Sequence, residues 1–187
     1  MDTMNEYIAY LHGALHDGYV YTGKSKGEVA VITQKNREWL ERLRQIIKKL
    51  EANSWIFRQR NIHVLETKLP ELLQPINVKA LGRNDGLAYV AGFFDAEGGI
   101  PHDIKKPLYI QFVQKSKEEL DDVVNILEKN GVRCGIVHQY DKKKSGCWRF
   151  FVKRESHLKF IKLIKSEHPE KKERLVSFKR LLERQTR

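Results

Sequence analysis

The chain has 187 residues, 41% of them hydrophobic, with two cysteines and a formal net charge of +11. That length and apolar content suffice for a buried core, whereas no apolar run reaches membrane-spanning length and the two cysteines exclude a disulfide framework or a zinc cluster. Thirty-five Lys and Arg against 24 Asp and Glu, with both halves positive, is the charge balance of a nucleic-acid binder. No charged-then-apolar leader opens the sequence, so a cytoplasmic, unsecreted protein is expected, with Cys134 and Cys147 as free thiols on neighbouring strands.

Residues 6–16, EYIAYLHGALH, read as a helix with Ala9 and Gly13 as small positions, ending at Asp17-Gly18. Residues 19–23 and 28–34 read as strands joined by the turn KSKG. Asn36 is placed to cap an amphipathic helix in which Trp39, Leu40, Leu43, Ile46, Ile47 and Leu50 mark one face. Residues 55–60 and 62–67 form a second hairpin, Pro70 opens a short helix, and residues 74–85 read as a linker. The pattern then restarts: a helix over 87–96, a strand over 108–114, and a helix capped by Ser116 and stopped by Gly131. Strands over 133–140 and 147–154 follow around DKKKSG, then a helix capped by Ser156 and a last charged helix opened by Pro169. Each half reads helix, two strands, helix, two strands, helix.

The stretch 87–99, LAYVAGFFDAEGG, stands out within this order. Ala88, Gly92 and Ala96 recur every four residues, a stripe with almost no side chains along which a second helix can approach backbone to backbone. The run ends in Asp95 and Glu97 before Gly98-Gly99, at the end of the helix dipole that disfavours acids. Glu97 is therefore read as a metal ligand, and Asp95, on the other side of the helix, as structural.

An internal repeat supplies its partner. Gln34-Lys35 and Gln114-Lys115 lie 80 residues apart, each ending a strand before a helix, and Asp17 and Glu97 are also 80 apart. The acid-to-glutamine spacing is thus 17 in both halves. The small positions disagree by one, since Ala9 and Gly13 precede Ala88 and Gly92 by 79. Aligned by the acids, His12 takes the place of Gly92 at the helix contact.

VAGFFDAEG, residues 90–98, resembles the second signature helix of the LAGLIDADG homing endonucleases, and YLHGALHDG, residues 10–18, resembles a diverged first copy. The resemblance extends over essentially the whole chain. It implies an α+β fold, a tandem pseudo-twofold repeat of αββαββα units whose two four-stranded antiparallel sheets form a DNA-binding saddle. Residues 1–80 would be the first repeat, and 81–187 the second with a basic C-terminal helix. It further implies a monomeric, site-specific endonuclease that hydrolyses both strands of a long double-stranded DNA target and leaves short 3′ overhangs. Mg²⁺ would be the metal, with Mn²⁺ able to substitute.

By the same resemblance Asp17 and Glu97 are the metal-binding acids, and Gln34 and Gln114 belong to the metal and water network. Phosphodiester hydrolysis needs a positioned water and neutralised phosphate charge, and hard Mg²⁺ takes carboxylate and carbonyl oxygens while keeping several waters. The carbonyls of His16 and Ala96, exposed at helix ends, are expected to complete the protein's share. A lysine after each second hairpin would hold water or offset charge: Lys79 in the first half, Lys171 or Lys172 in the second.

Strand parity leaves Tyr109 and Gln111 on an exposed face, and Arg58 with Arg60, and Arg149 with Phe151 and Lys153, share faces of their own. Such faces suit major-groove reading, with Lys35 and Lys115 as further DNA contacts. Lys142, Lys143 and Lys144 are read as phosphate contacts, and the acids at 118–122 as partners of a helix dipole. The alternative from another class is a non-cleaving binder on the same scaffold, an RNA-splicing maturase or a DNA-binding regulator. Both acids and both glutamines are present, and a binder has no use for metal ligands.

Overall fold

One helix has no polar side. In α3 (Arg83–Glu97) residues 88–95 are all buried in succession, the mark of a helix with neighbours on every side. Its main neighbour is α1 (Met4–Ala14), which it packs along for most of its length. The computed structural model describes residues 3–23, 27–140 and 146–185; residues 24–26 of the KSKG turn, residues 141–145 of DKKKSG with Lys142–Lys144, and the first two and last two residues lie outside them.

A sheet flanks each of these helices. In the first, β1 (Gly18–Gly23), β2 (Gly27–Gln34), β3 (Ser54–Gln59) and β4 (Ile62–Thr67) stand in the antiparallel order β1-β2-β4-β3. The second repeats that order as β5 (Gly98–Gly99), β6 (Gln111–Gln114), β8 (Trp148–Phe151) and β7 (His138–Gln139). The result is an α+β fold of two four-stranded antiparallel sheets related by a pseudo-twofold repeat.

The helices that cover the sheets form where apolar spacing and capping agree. In α2 (Arg37–Lys49) Asn36 accepts from the Trp39 amide at 3.0 Å, and Trp39, Leu40, Leu43 and Ile47 are fully buried. In α4 (Lys117–Lys129) Ser116 accepts from the Glu119 amide at 3.3 Å, and Gly131 takes the left-handed backbone at φ +73° just past the end. The second core is built of phenylalanine: Phe112 stacks on Phe150 with 4.9 Å between centroids, and Phe94 meets Phe160 edge-on at 5.3 Å. Phe160 comes from α5 (His157–Leu163), and α6 (Pro169–Gln185) closes the chain.

Three details depart from the expectations, and the free state of both cysteines agrees with them. Strand pairing in the second repeat is shorter than the 108–114 and 133–140 runs suggest. Pro101 and Pro107 lack ladder donors on the approach to β6, and the 133–140 run reduces to one bridge, Cys134 with Val152, plus β7. The linker at 74–85 contains a 3₁₀ turn at Val78–Ala80, and α3 begins at Arg83, with Asp85 complementing its dipole. Ser156 makes no capping bond to α5; its Oγ accepts from the Arg133 amide at 2.9 Å instead. Cys134 and Cys147 are both free, and burial pushes the Cys134 thiol up to about 12.

Candidate active site

The two acids are brought together by two glycines. A Cβ on Gly92 would stand 2.0 Å from the Tyr10 carbonyl oxygen, and one on Gly13 would stand 2.1 Å from that of Tyr89. The helices touch backbone to backbone at these points, and no other residue type fits. This corrects the acid register at the crossing: Gly13, not His12, lies against α3. His12 instead lines a groove with Ile76 and Asn77 of its own repeat.

The one-residue mismatch disappears in the last turn. After Ala14 the first helix tightens into a 3₁₀ turn, Leu15–Asp17, whereas α3 stays α-helical to Glu97. From Gly13 to Asp17 the chain takes one α step and three 3₁₀ steps; from Gly92 to Glu97 it takes five α steps. At about 1.5 Å and 2.0 Å per residue, both advance about 7.5 Å. Glycines 79 apart thus deliver acids 80 apart to the same depth.

Each acid has the same companion. Gln34 Nε2 donates to Asp17 Oδ2 at 2.7 Å, and the Gln34 carbonyl oxygen accepts from the Lys35 amide at 2.9 Å. In the second repeat Gln114 Nε2 donates to Glu97 Oε1 at 3.3 Å, and the Gln114 side-chain carbonyl oxygen accepts from the Lys115 amide at 2.6 Å. The amide bond at the end of each strand thus fixes which way the glutamine points its donor. The side chains of Lys35 and Lys115 are directed elsewhere, on the exposed rim.

Burial pushes the Glu97 carboxyl up to about 7, and repulsion from Asp17 adds to it. Asp17 is raised by burial too, with the Gln34 hydrogen bond and Lys171 opposing. Two desolvated carboxylates that repel one another form a strained pair, and a cation between them would relieve both effects. Among the described residues no three His, Cys, Asp or Glu side chains converge to hold a metal. The donor set is therefore open: two carboxylates, each hydrogen-bonded to a glutamine. It suits a hard divalent ion that retains water and takes phosphate oxygens.

Lys171, from the first turn of α6, comes closest to the pair. Its Nζ donates to the carbonyls of Phe94 and Asp95 at 2.8 and 2.7 Å, capping the negative end of α3. Burial pulls its ammonium down to about 8, against the attraction of Asp95, Asp17 and Glu97. The other two lysine candidates are placed elsewhere. Lys172, one residue and about 100° further round the helix, pairs with Glu167 at 3.4 Å. Lys79 lies on the 3₁₀ turn between the repeats, two-thirds exposed, and pairs with Glu118 at 3.2 Å.

Asp95 takes the structural role its place on the helix suggested, but its partners and those of His16 carried no sequence signal. Asp95 is 1% exposed and accepts from the Tyr10 and Ser166 hydroxyls at 2.5 Å and from the amides of Glu167 and His168. It ties the 164–169 turn, and with it Lys171, to α3. His16 stacks on Phe93 at 4.2 Å, meets the Tyr89 hydroxyl at 2.9 Å and reaches across to Glu119 at 3.6 Å. Burial pulls its imidazole down to about 4 and keeps it neutral. These partners lie 71 to 103 residues apart in the chain, beyond any local spacing rule.

The expected DNA contacts divide by sheet. Cross-strand partners share a face, so the second sheet presents Gln111, Val113, Phe151, Arg149 and His138 away from the helices, with Tyr109 edge-on to Phe151 at 6.4 Å. The Arg149 guanidinium lies over Tyr140 and Phe151 at 4.6 and 4.8 Å and reaches His138 at 3.3 Å. Lys153 follows the end of β8, bonded through its amide to the Arg133 carbonyl. In the first sheet the parity argument must be corrected. Arg58 shares the face of Ile56, which packs on the helices, and bonds the carbonyl of Arg60, a turn residue with φ +54°.

The comparisons with known proteins agree with this architecture. The model of the LAGLIDADG-like domain matches residues 4–69 and 85–165. No curated protein sequence matches the chain. Among solved structures, I-DmoI in complex with DNA and Mn superposes with a TM-score of 0.69 at 22% identity, over 89% of this chain and 99% of that one. I-DmoI in complex with DNA and Ca gives 0.70 at 22%, over 89% and 93%. Full-length DUF199/WhiA from Thermatoga maritima gives 0.70 at 14%, over 95% of this chain and 61% of its own. At such identities the likeness is one of fold, and the family match spans both repeats. The chain belongs to the LAGLIDADG-like domain family.

Proposed function

We propose that this protein is a monomeric, site-specific, divalent-metal-dependent endonuclease that hydrolyses both strands of a double-stranded DNA target and leaves short 3′ overhangs. The observation that carries the reading is the duplicated pair, Asp17 with Gln34 and Glu97 with Gln114, set at one depth on either side of a glycine-to-glycine helix crossing. A binder gains nothing from two half-buried carboxylates held in mutual repulsion. The solved relatives bound to DNA with Mn or Ca are consistent with it.

Asp17 and Glu97, with the carbonyls of His16 and Ala96, would hold Mg²⁺ or Mn²⁺, which when bound supplies charge neutralisation at the scissile phosphate and lowers the pKa of its water. Gln34 and Gln114 hold the carboxylates in orientation through their amide donors. Lys171 adds a positive charge beside the acids, placed to offset charge that develops on phosphate oxygens. Neutral His16 fills the space between the repeats without adding charge. Arg149 and Gln111 on the second sheet would read base edges in the major groove. Residues 1–80 and 81–187 would each cover one half-site.

The test is linearisation of plasmid DNA carrying a selected target, with Mg²⁺ or Mn²⁺ present. Wild type should cut both strands, and Asp17→Asn combined with Glu97→Gln should cut neither while still binding. Cleavage by that double variant would remove the assignment. Wild-type protein that binds its site and nicks it in neither metal would replace an endonuclease with a binder.

A further inference from the structure

The outer faces of the two sheets do not match. In the first sheet the register pairs Tyr19 with Val31, Val31 with Glu66 and Glu66 with Trp55, and likewise Tyr21 with Val29 and Val64 with Phe57. Partners share a face, and this one points away from the main core: Val29, Val31 and Val64 form a small cluster of their own, capped by Tyr21. Above it Tyr19, Trp55 and Phe57 are 55, 52 and 42% exposed. Trp55 and Phe57, with Val29, border a groove of about 390 Å³ that also touches Glu66 and Lys68. By the same registers, no Lys or Arg lies on this face among the described strand residues, and its other polar side chains are Thr33 and Gln59. The corresponding face of the second sheet carries Arg149, Gln111 and His138.

Both faces flank the acid pair equally, because β2 ends at Gln34 on Asp17 and β6 ends at Gln114 on Glu97. A duplex that brings its scissile phosphates to the acids therefore runs across both faces. On the second it meets donors. On the first it meets aromatic rings over valine. In the major groove the base pairs offer one apolar group, the C5-methyl of thymine. G·C edges pressed on the aromatic and valine part of this surface would lose water without gaining partners, Glu66, Thr33, Gln59 and Lys68 being its few polar neighbours.

We propose that the first repeat reads its half-site by apolar contact with thymine methyl groups, through Tyr19, Trp55 and Phe57, while the second repeat reads by hydrogen bonds. The proposal rests on the DNA reading above. The two repeats then specify by different physics: the first half-site is thymine-rich, and the second depends on the placement of Arg149 and Gln111.

Wild-type protein would first be used to select bound duplexes from a randomised 30-base-pair library in Ca²⁺. Arg149→Gln, repeated on the same library, marks the second repeat's half-site as the one whose preference changes. Deoxyuridine then replaces thymidine in one half-site at a time, and affinity is measured by competition. Each contacted thymine in the first half-site should lose about fourfold, the weight of one buried methyl(ene) group, and the other half-site should change little. Phe57→Ser should reduce the uracil penalty in the first half-site and leave the second half-site's preference intact. The wild-type uracil comparison needs no variant, so a misfolded Phe57→Ser does not blunt it.

Selected duplexes with no uracil penalty in the first half-site overturn the proposal and leave the endonuclease reading standing. So does preference for single-stranded oligonucleotides at this face, or self-association in sedimentation that Phe57→Ser abolishes. Failure to enrich any duplex removes the DNA reading and this proposal with it.

Discussion

Replacing Gly92 by alanine adds one methyl group where the two central helices touch. Its Cβ would lie 2.0 Å from the Tyr10 carbonyl oxygen and 2.8 Å from the Ala14 amide nitrogen, whereas ordinary contact begins at 3.4 Å. The offending atoms are backbone, so no rotamer change relieves them, and the helices must part by about 1.4 Å. Overpacking of this kind costs about 1–3 kcal/mol, and the upper end applies because the crossing joins both cores. At about 2–4 °C per kcal/mol for a chain of this size, Tm should fall by about 6–12 °C. The same separation moves Asp17 away from Glu97, and a displacement of about 1 Å at a reacting centre lowers rate about 10²-fold. Gly86→Ala is the control. It lies on the same helix, but its Cβ meets only the flexible Ile126 side chain, at 3.3 Å. A helix-interior alanine gains about 0.5–1 kcal/mol over glycine, so this variant should match or exceed wild type. Thermal unfolding followed by circular dichroism, with plasmid cleavage on the same samples, reads both effects. A Gly92→Ala protein as stable and active as wild type, or a Gly86→Ala protein equally damaged, would refute the reasoning.

Asp95→Asn leaves four donors facing one carbonyl oxygen and an amide that itself donates; urea titration should show a loss of about 3 kcal/mol, and a loss under 1 kcal/mol would mean the network is not what anchors the 164–169 turn. Lys171→Met should lower cleavage by about 10²–10³-fold with binding retained, as for removal of one charge-stabilising group, whereas Lys79→Met and Lys172→Met, whose ammonium groups pair with Glu118 and Glu167 on the surface, should cleave like wild type. Equal loss in all three would point to general electrostatics rather than position. His157 is 4% exposed, bonds the Val152 carbonyl at 3.1 Å and has its imidazole pulled down by burial. A histidine lowered in the folded state binds its proton more readily when unfolded, so its share of stability is present at neutral pH and is lost as pH falls below about 6.5. Between pH 7 and 5 the stability of His157→Gln should therefore fall less steeply than that of wild type, by up to about 1.4 kcal/mol per pH unit; parallel profiles would show the imidazole to be solvated.

Much of this molecule can be read from local pattern, because local pattern is what capping, periodicity and turns depend on. Asn36 and Ser116 bond the amides expected of N-caps, and Trp39, Leu40, Leu43 and Ile47 line the buried face of α2. The spacing of 17 from acid to glutamine recurs because an antiparallel strand pair separates them in both halves, β1 with β2 and β5 with β6, although the strands differ in length. The Lys171 position emerged only as one of three candidates. Neighbouring residues on a helix point in different directions, and the direction taken by Lys171 is set by the Asp95 tether from another segment.

The repeat, the pairing of Asp17 with Gln34 and of Glu97 with Gln114, and the need for a small-residue helix crossing are legible along the chain. These follow from composition at fixed spacings along one chain. The tertiary structure decided how the crossing is registered. Gly13 meets α3 where acid spacing placed His12, because steric contact between backbones outweighs sequence offset, and the 3₁₀ turn at Leu15–Asp17 restores the depth that the offset would have lost. It also decided which face of the first sheet is outward. Alternation tells two faces apart but not which one the helices cover, and here they cover Ile56 and leave Trp55 and Phe57 to the solvent side.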